Sequence, residues 1–149
     1  MLRRTTAFAV LALATAACRS PGPGREQVES VLAEQAACWN RGDLRGFVRT
    51  YWDDADLTFV GSTGLRRGPD DLLAGYERGY PDAESRGRLS FELLEVRPLG
   101  CGRSLVIGTF HLARSARADD RGIFTLLVAD HDGRIRIEHD HSSATIDDR

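Results

Sequence analysis

The chain has 149 residues, 42% hydrophobic and 28% charged, which fits one domain with its own core and excludes a disordered chain. Its 20 basic residues are all arginine, scattered among 22 acidic ones for a net charge of -2 at pH 7. No basic run forms, which argues against a nucleic-acid partner.

Residues 1–17 read as a secretory signal peptide. Arg3 and Arg4 make a basic start, and the apolar run from Ala7 to Ala17 is too short to span a bilayer. Thr15-Ala16-Ala17-Cys18 resembles a bacterial lipobox, which implies cleavage before Cys18 and lipidation of its thiol. Cleavage after Ala16 by an ordinary signal peptidase is the competing reading. Residues 18–25, rich in Pro and Gly, read as a flexible tether, residues 26–145 as the domain, and 146–149 as a tail. The domain is therefore expected outside the cytoplasm, periplasmic or extracellular, touching a membrane only through a lipid on Cys18. In that oxidising setting a disulfide between Cys38 and Cys101 is open, alongside two buried thiols.

From Glu26 to Arg41, Val28, Val31, Leu32, Ala36 and Trp39 recur at helical spacing, and Gly42 supplies a left-handed stop. Asp43 is a good N-cap for a second helix with Leu44, Phe47, Val48 and Tyr51 on one stripe. The acidic group Asp53, Asp54 and Asp56 ends it. Leu57–Val60 and Leu65–Arg67 read as a short hairpin, with Arg66 and Arg67 as solvated charges. Pro69 then opens a third helix, which Gly79 and Pro81 close.

Four longer strands follow, at Arg88–Pro98, Ser104–Ser115, Gly122–Asp130 and Gly133–Ala144. The last opens at the Asp132-Gly133 turn. Strict alternation along it puts Ile135, Ile137, His139 and His141 on one face and Arg134, Arg136, Glu138 and Asp140 on the other. Helices first and strands after give an α+β fold. Several strands are apolar on both faces, so the side away from the helices needs a second cover. A homodimer packed sheet to sheet supplies one.

The order helix, Trp39-Asn-Arg-Gly-Asp43, helix, Tyr51-Trp-Asp-Asp-Ala55, a short helix after Gly68 and a long meander resembles the nuclear transport factor two-like superfamily. Within it the chain is most similar to SnoaL-like bacterial proteins of unknown function. Its ending, Asp132-Gly-Arg-Ile with His139-Asp-His-Ser142, is also similar to the association domain of calcium/calmodulin-dependent kinase. The resemblance implies a cone, in which a curved antiparallel sheet of cystatin-like type wraps the N-terminal helices and leaves a pocket at its open end. It also implies a dimer through the sheet face.

Candidate pocket residues are His139 and His141 on the final strand, His111 on its apolar-flanked strand, and the aromatics Trp52, Tyr51, Phe59 and Tyr76. A histidine titrates near neutrality and suits proton transfer, although a strand end reaching solvent explains the pair equally. Asp140 faces away from both histidines under strict alternation, so no metal site is expected, nor any cofactor. The leading expectation is an exported domain that binds a small apolar or weakly acidic molecule in its cone, or serves as a dimeric scaffold. The alternative is an isomerase, cyclase or hydrolase working through a pocket histidine.

Overall fold

A computed structural model describes residues 20–115 and 118–145 of the chain. The expected signal peptide and the expected lipidation site at Cys18 lie outside the described residues. Among those described, no helix is long and apolar enough to cross a membrane.

Helix α1 runs Arg25–Asn40 and buries Val28, Leu32, Gln35 and Trp39, one residue per turn. Gly42, at φ 81°, turns the chain out of it. Asp43 then accepts the Gly46 N–H at 2.7 Å and caps α2, Leu44–Val48, whose Leu44, Phe47 and Val48 are buried. Strands β1, Thr58–Gly61, and β2, Gly64–Arg67, form the expected hairpin. Helix α3, Gly68–Gly79, carries Pro69, Asp70 and Asp71 in its first turn. A further helical turn, α4 at Ala83–Arg86, is capped reciprocally by Asp82 and Ser85. The apolar pattern is blind to α4 because it buries nothing.

Strands β3, Arg88–Gly100, β4, Arg103–Ala113, β5, Asp120–His131, and β6, Arg134–Ala144, complete one sheet in the order β2-β1-β6-β5-β4-β3. The sheet is curved and unclosed, as expected. It is not wholly antiparallel, because β1 runs parallel to β6. The two helices between β1 and β3, α3 and α4, let the chain cross the sheet before the meander begins. On the concave face Val106, Leu112, Phe124, Leu126, Val128 and Ile137 join the helices in one core. Asn40 closes one edge: its amide donates to the Leu89 carbonyl at 3.0 Å and accepts the Leu89 N–H at 2.8 Å, as a neighbouring strand would.

One expectation is corrected and one open alternative is decided. The Ser20–Gly24 segment is docked and not a free tether. Gly102 N–H donates to the Ser20 carbonyl at 2.9 Å, and the buried Ser104 hydroxyl donates to the Pro23 carbonyl at 2.8 Å. Gly22 lies so close to the Arg103 carbonyl that any Cβ would collide with it, so glycine here serves close approach and not flexibility. No disulfide joins Cys38 and Cys101 either. Cys38 is buried at the end of α1 with the Arg41 guanidinium 3.0 Å from its sulfur, while Cys101 is exposed in the turn between β3 and β4.

Candidate functional site

The site is set by one register shift. On β5, Phe124, Leu126 and Val128 face the concave side, and β6 residues opposite them must share that face. Val128 pairs with Ile137, but Leu127 pairs with His139, so Glu138 is an extra residue in the ladder, a β-bulge. Beyond it Leu126 faces Asp140 and Phe124 faces Ser142. The phase of β6 is therefore inverted after Ile137: Asp140 and Ser142 turn inward, and His139 and His141 turn to the convex side. This reverses the alternation read from the sequence, because a bulge puts two successive residues on one face.

The helices and the concave sheet enclose a chamber of about 120 Å³. Trp39 sits among aromatic rings there, with centroids 5.2 Å from Phe47, 4.8 Å from Tyr80 and 5.7 Å from Tyr76. Tyr51, Phe59 and Tyr76 all line this chamber. Its polar atoms come from few residues. Asp140 accepts the Tyr51 hydroxyl at 2.7 Å and the Ser142 hydroxyl at 2.8 Å, and Gln35 presents a buried amide nitrogen with no partner.

Burial pushes the Asp140 carboxyl up to about 6, and the two hydroxyl donors and His141 only partly offset it. Burial, with the charge on Asp140 second, holds Tyr51 well above the usual phenol range, and the same two causes raise Tyr76. Tyr51 and Tyr76 are therefore fixed donors. Asp140 can hold or give up a proton near neutrality, the range in which a carboxyl works as an acid or base.

The predicted histidines are not brought together in the chamber. His139 packs its Nδ1 2.7 Å from the Thr58 hydroxyl, and burial followed by the charge of His141 lowers its pKa. His141 is exposed. His111 lies on the convex side and pairs its Nε2 with Asp119 at 2.7 Å. Trp52 stacks on His131 at 5.2 Å outside the chamber. His131 in turn meets Glu138 at 3.0 Å, and Arg103 grips the same carboxylate at 2.8 and 2.9 Å. The bulge residue thus has a role of its own. Among the described residues, no group of three or more His, Cys, Asp or Glu side chains could hold a metal ion.

A wider vestibule of about 380 Å³ adjoins the chamber, and Phe59, Tyr76, Tyr80, Phe110 and Ser142 line both. Arg66, Arg114 and Asp120 also line the vestibule. Sequence reading passed over Asp140, Ser142, Gln35 and Arg114. In a run of four polar residues, Glu138 to His141, hydrophobicity gives no phase, so no pattern could have selected Asp140.

No family model matches the chain, and no curated protein matches it. Solved structures do. An NTF-2-like protein of unknown function from Shewanella oneidensis MR-1 is 37% identical, with 79% of this chain and 97% of that one covered and a TM-score of 0.74. A ketosteroid isomerase-like protein from Erwinia carotovora atroseptica is 17% identical over 81% of this chain and 95% of that one, at TM-score 0.66. A structure assigned as a calcium/calmodulin-dependent kinase II association domain, from Xanthomonas campestris, is 19% identical over 98% and 99%, at TM-score 0.65. The last two share the fold alone.

Proposed function

The chain belongs to the NTF-2-like family, and from that premise we propose that it binds a small, ring-sized apolar molecule carrying one hydroxyl-like group in its chamber. One observation carries this reading. A fully buried carboxyl, Asp140, stands in an otherwise aromatic chamber at a pKa of about 6. Burying a carboxylate works against folding, so it is kept where it meets something. A ligand hydroxyl can donate to Asp140 and accept from the free Gln35 amide. A cavity of about 120 Å³ suits a single ring, since an apolar cavity of about 150 Å³ holds benzene.

Phenol and toluene test the reading, with Trp39 emission as the readout. At pH 8 phenol should bind about tenfold tighter than toluene, the worth of one hydrogen bond to a charged group. Phenol affinity should fall as pH drops through about 6 and Asp140 takes up its proton, because the neutral acid is the weaker acceptor. Absence of saturable binding by either probe overturns the proposal.

The same proposal places a second copy of the chain on the convex face. Ile123 there is 45% exposed, and Ile107 and Leu127 beside it are only half-buried. Light scattering on the chain from Ser20 onward should give twice the chain mass, and a monomer mass removes the dimer. Export and lipidation at Cys18 belong to this reading on the strength of the leader sequence.

A further inference from the structure

Two buried side-chain polar atoms lack a partner among the described residues, Gln35 Nε2 and Arg114 Nε. One belongs to the chamber and the other to the vestibule above it. An unmade buried hydrogen bond works against folding, more so at a charged group, and such groups call for an explanation. Arg114 is the stronger case. Its side chain is only 8% exposed, and its Cγ packs where a Cβ on Gly87 would come within 2.8 Å. One Nη reaches Asp120 at 3.3 Å, a long contact for a group with five donors. Arg66 lines the same vestibule at 20% exposure, and Gly75 leaves room for its guanidinium. Its partners are Thr63 at 3.1 Å and Asp71 at 3.4 Å.

We propose that the vestibule is a carboxylate subsite, so that the chamber's ligand is an aromatic or similarly apolar acid. Arg114 receives the carboxylate with Arg66 in support. This inference rests on the reading that the chamber binds a small molecule. The orientation follows from charge. A ligand carboxylate pointing inward would face Asp140 in a low-dielectric chamber, where like charges repel strongly. Pointing outward, it meets the Arg114 side chain on the vestibule wall, whose planar guanidinium matches a carboxylate. Asp120 and Asp71 already offset much of the arginine charge, which suits a singly charged group better than a doubly charged phosphate.

The probes are 4-hydroxyphenylacetate and its neutral amide, titrated at pH 8 against Trp39 fluorescence. The intact protein should bind the acid about tenfold tighter than the amide, as one charge-assisted pair provides. Arg114→Gln should erase that preference by weakening the acid alone. Asp120→Asn leaves Arg114 in place and should strengthen acid binding severalfold with the amide unmoved, so the test survives if the Arg114 variant fails to fold. Equal binding of acid and amide by the intact protein overturns the carboxylate subsite and leaves the chamber reading standing. Binding of neither probe overturns both.

Discussion

Asp140→Asn is expected to stabilise the protein at pH 8 by about 3 kcal/mol and to change little at pH 4. The sign follows from the buried carboxyl. Its folded pKa of about 6 lies above the ordinary value of 3.8, so between those values the folded state holds a proton that the unfolded state has released. Stability therefore falls as pH rises from about 4 to about 6 and stays reduced above. A gap of about two pH units corresponds to about 3 kcal/mol. Asparagine has no charge to bury and keeps the shape. Its carbonyl can accept the Tyr51 hydroxyl, and its amide can donate to a rotated Ser142 hydroxyl. Asp43 and Asp119, both held below the usual carboxylate range chiefly by backbone N–H donors, titrate with the opposite sign. They cancel in the difference between the two proteins. Urea melts of both at pH 4 and pH 8 measure that difference, and an equal gap at both pH values would mean that Asp140 is not desolvated.

The same substitution separates stability from function. A variant that is more stable at pH 8 and binds phenol less tightly marks Asp140 as a residue kept for its ligand. A gain in stability with phenol binding intact marks it as a tolerated cost of the fold.

Most of the fold was legible because it is written in apolar spacing and turn chemistry. Val28, Leu32 and Trp39 fix α1 within a residue of its bounds, and Asp43 caps α2 as its position suggests. Of the site, the aromatic residues Tyr51, Phe59 and Tyr76 were singled out from the sequence, but its polar centre was not legible. Its geometry depends on whether β6 alternates straight through, and the two phases differ by one inserted residue, Glu138. Ile135 and Ile137 anchor the phase before the bulge, but Glu-His-Asp-His offers no apolar residue to anchor it after. What holds the shifted register lies elsewhere in the chain. Arg103 and His131 clasp Glu138 on the convex side, and Tyr51 draws Asp140 inward. These are tertiary contacts, and single-strand periodicity cannot carry them. The Pro-Gly-Pro-Gly segment failed for a similar reason. Glycine permits flexibility and also close backbone approach, and only the packing of Gly22 on β4 decides which.

Trp39→Ala should cost about 3–5 kcal/mol, the usual range for removing a large aromatic from a core. That is a large share of a marginal total of about 5–15 kcal/mol, so the variant should melt early or fold only in part. The reason is position. Trp39 is 3% exposed and packs against Phe47 of α2 and Tyr76 of α3, while its Nε1 donates to the Arg86 carbonyl of α4 at 3.2 Å. One side chain of α1 thus ties down the other three helices. Trp39→Phe keeps a ring in the cluster and loses the hydrogen bond and the second ring, so it should fall between the two. The same residue lines the chamber, so its removal extends an apolar cavity that is already lined with aromatic rings. Indole should bind the enlarged chamber and return part of the lost stability, rising with the logarithm of its concentration. Urea melts of the Ala variant with and without indole measure this. If indole leaves the midpoint unmoved, the surrounding rings have collapsed into the space, and the chamber walls are softer than a preformed binding site requires.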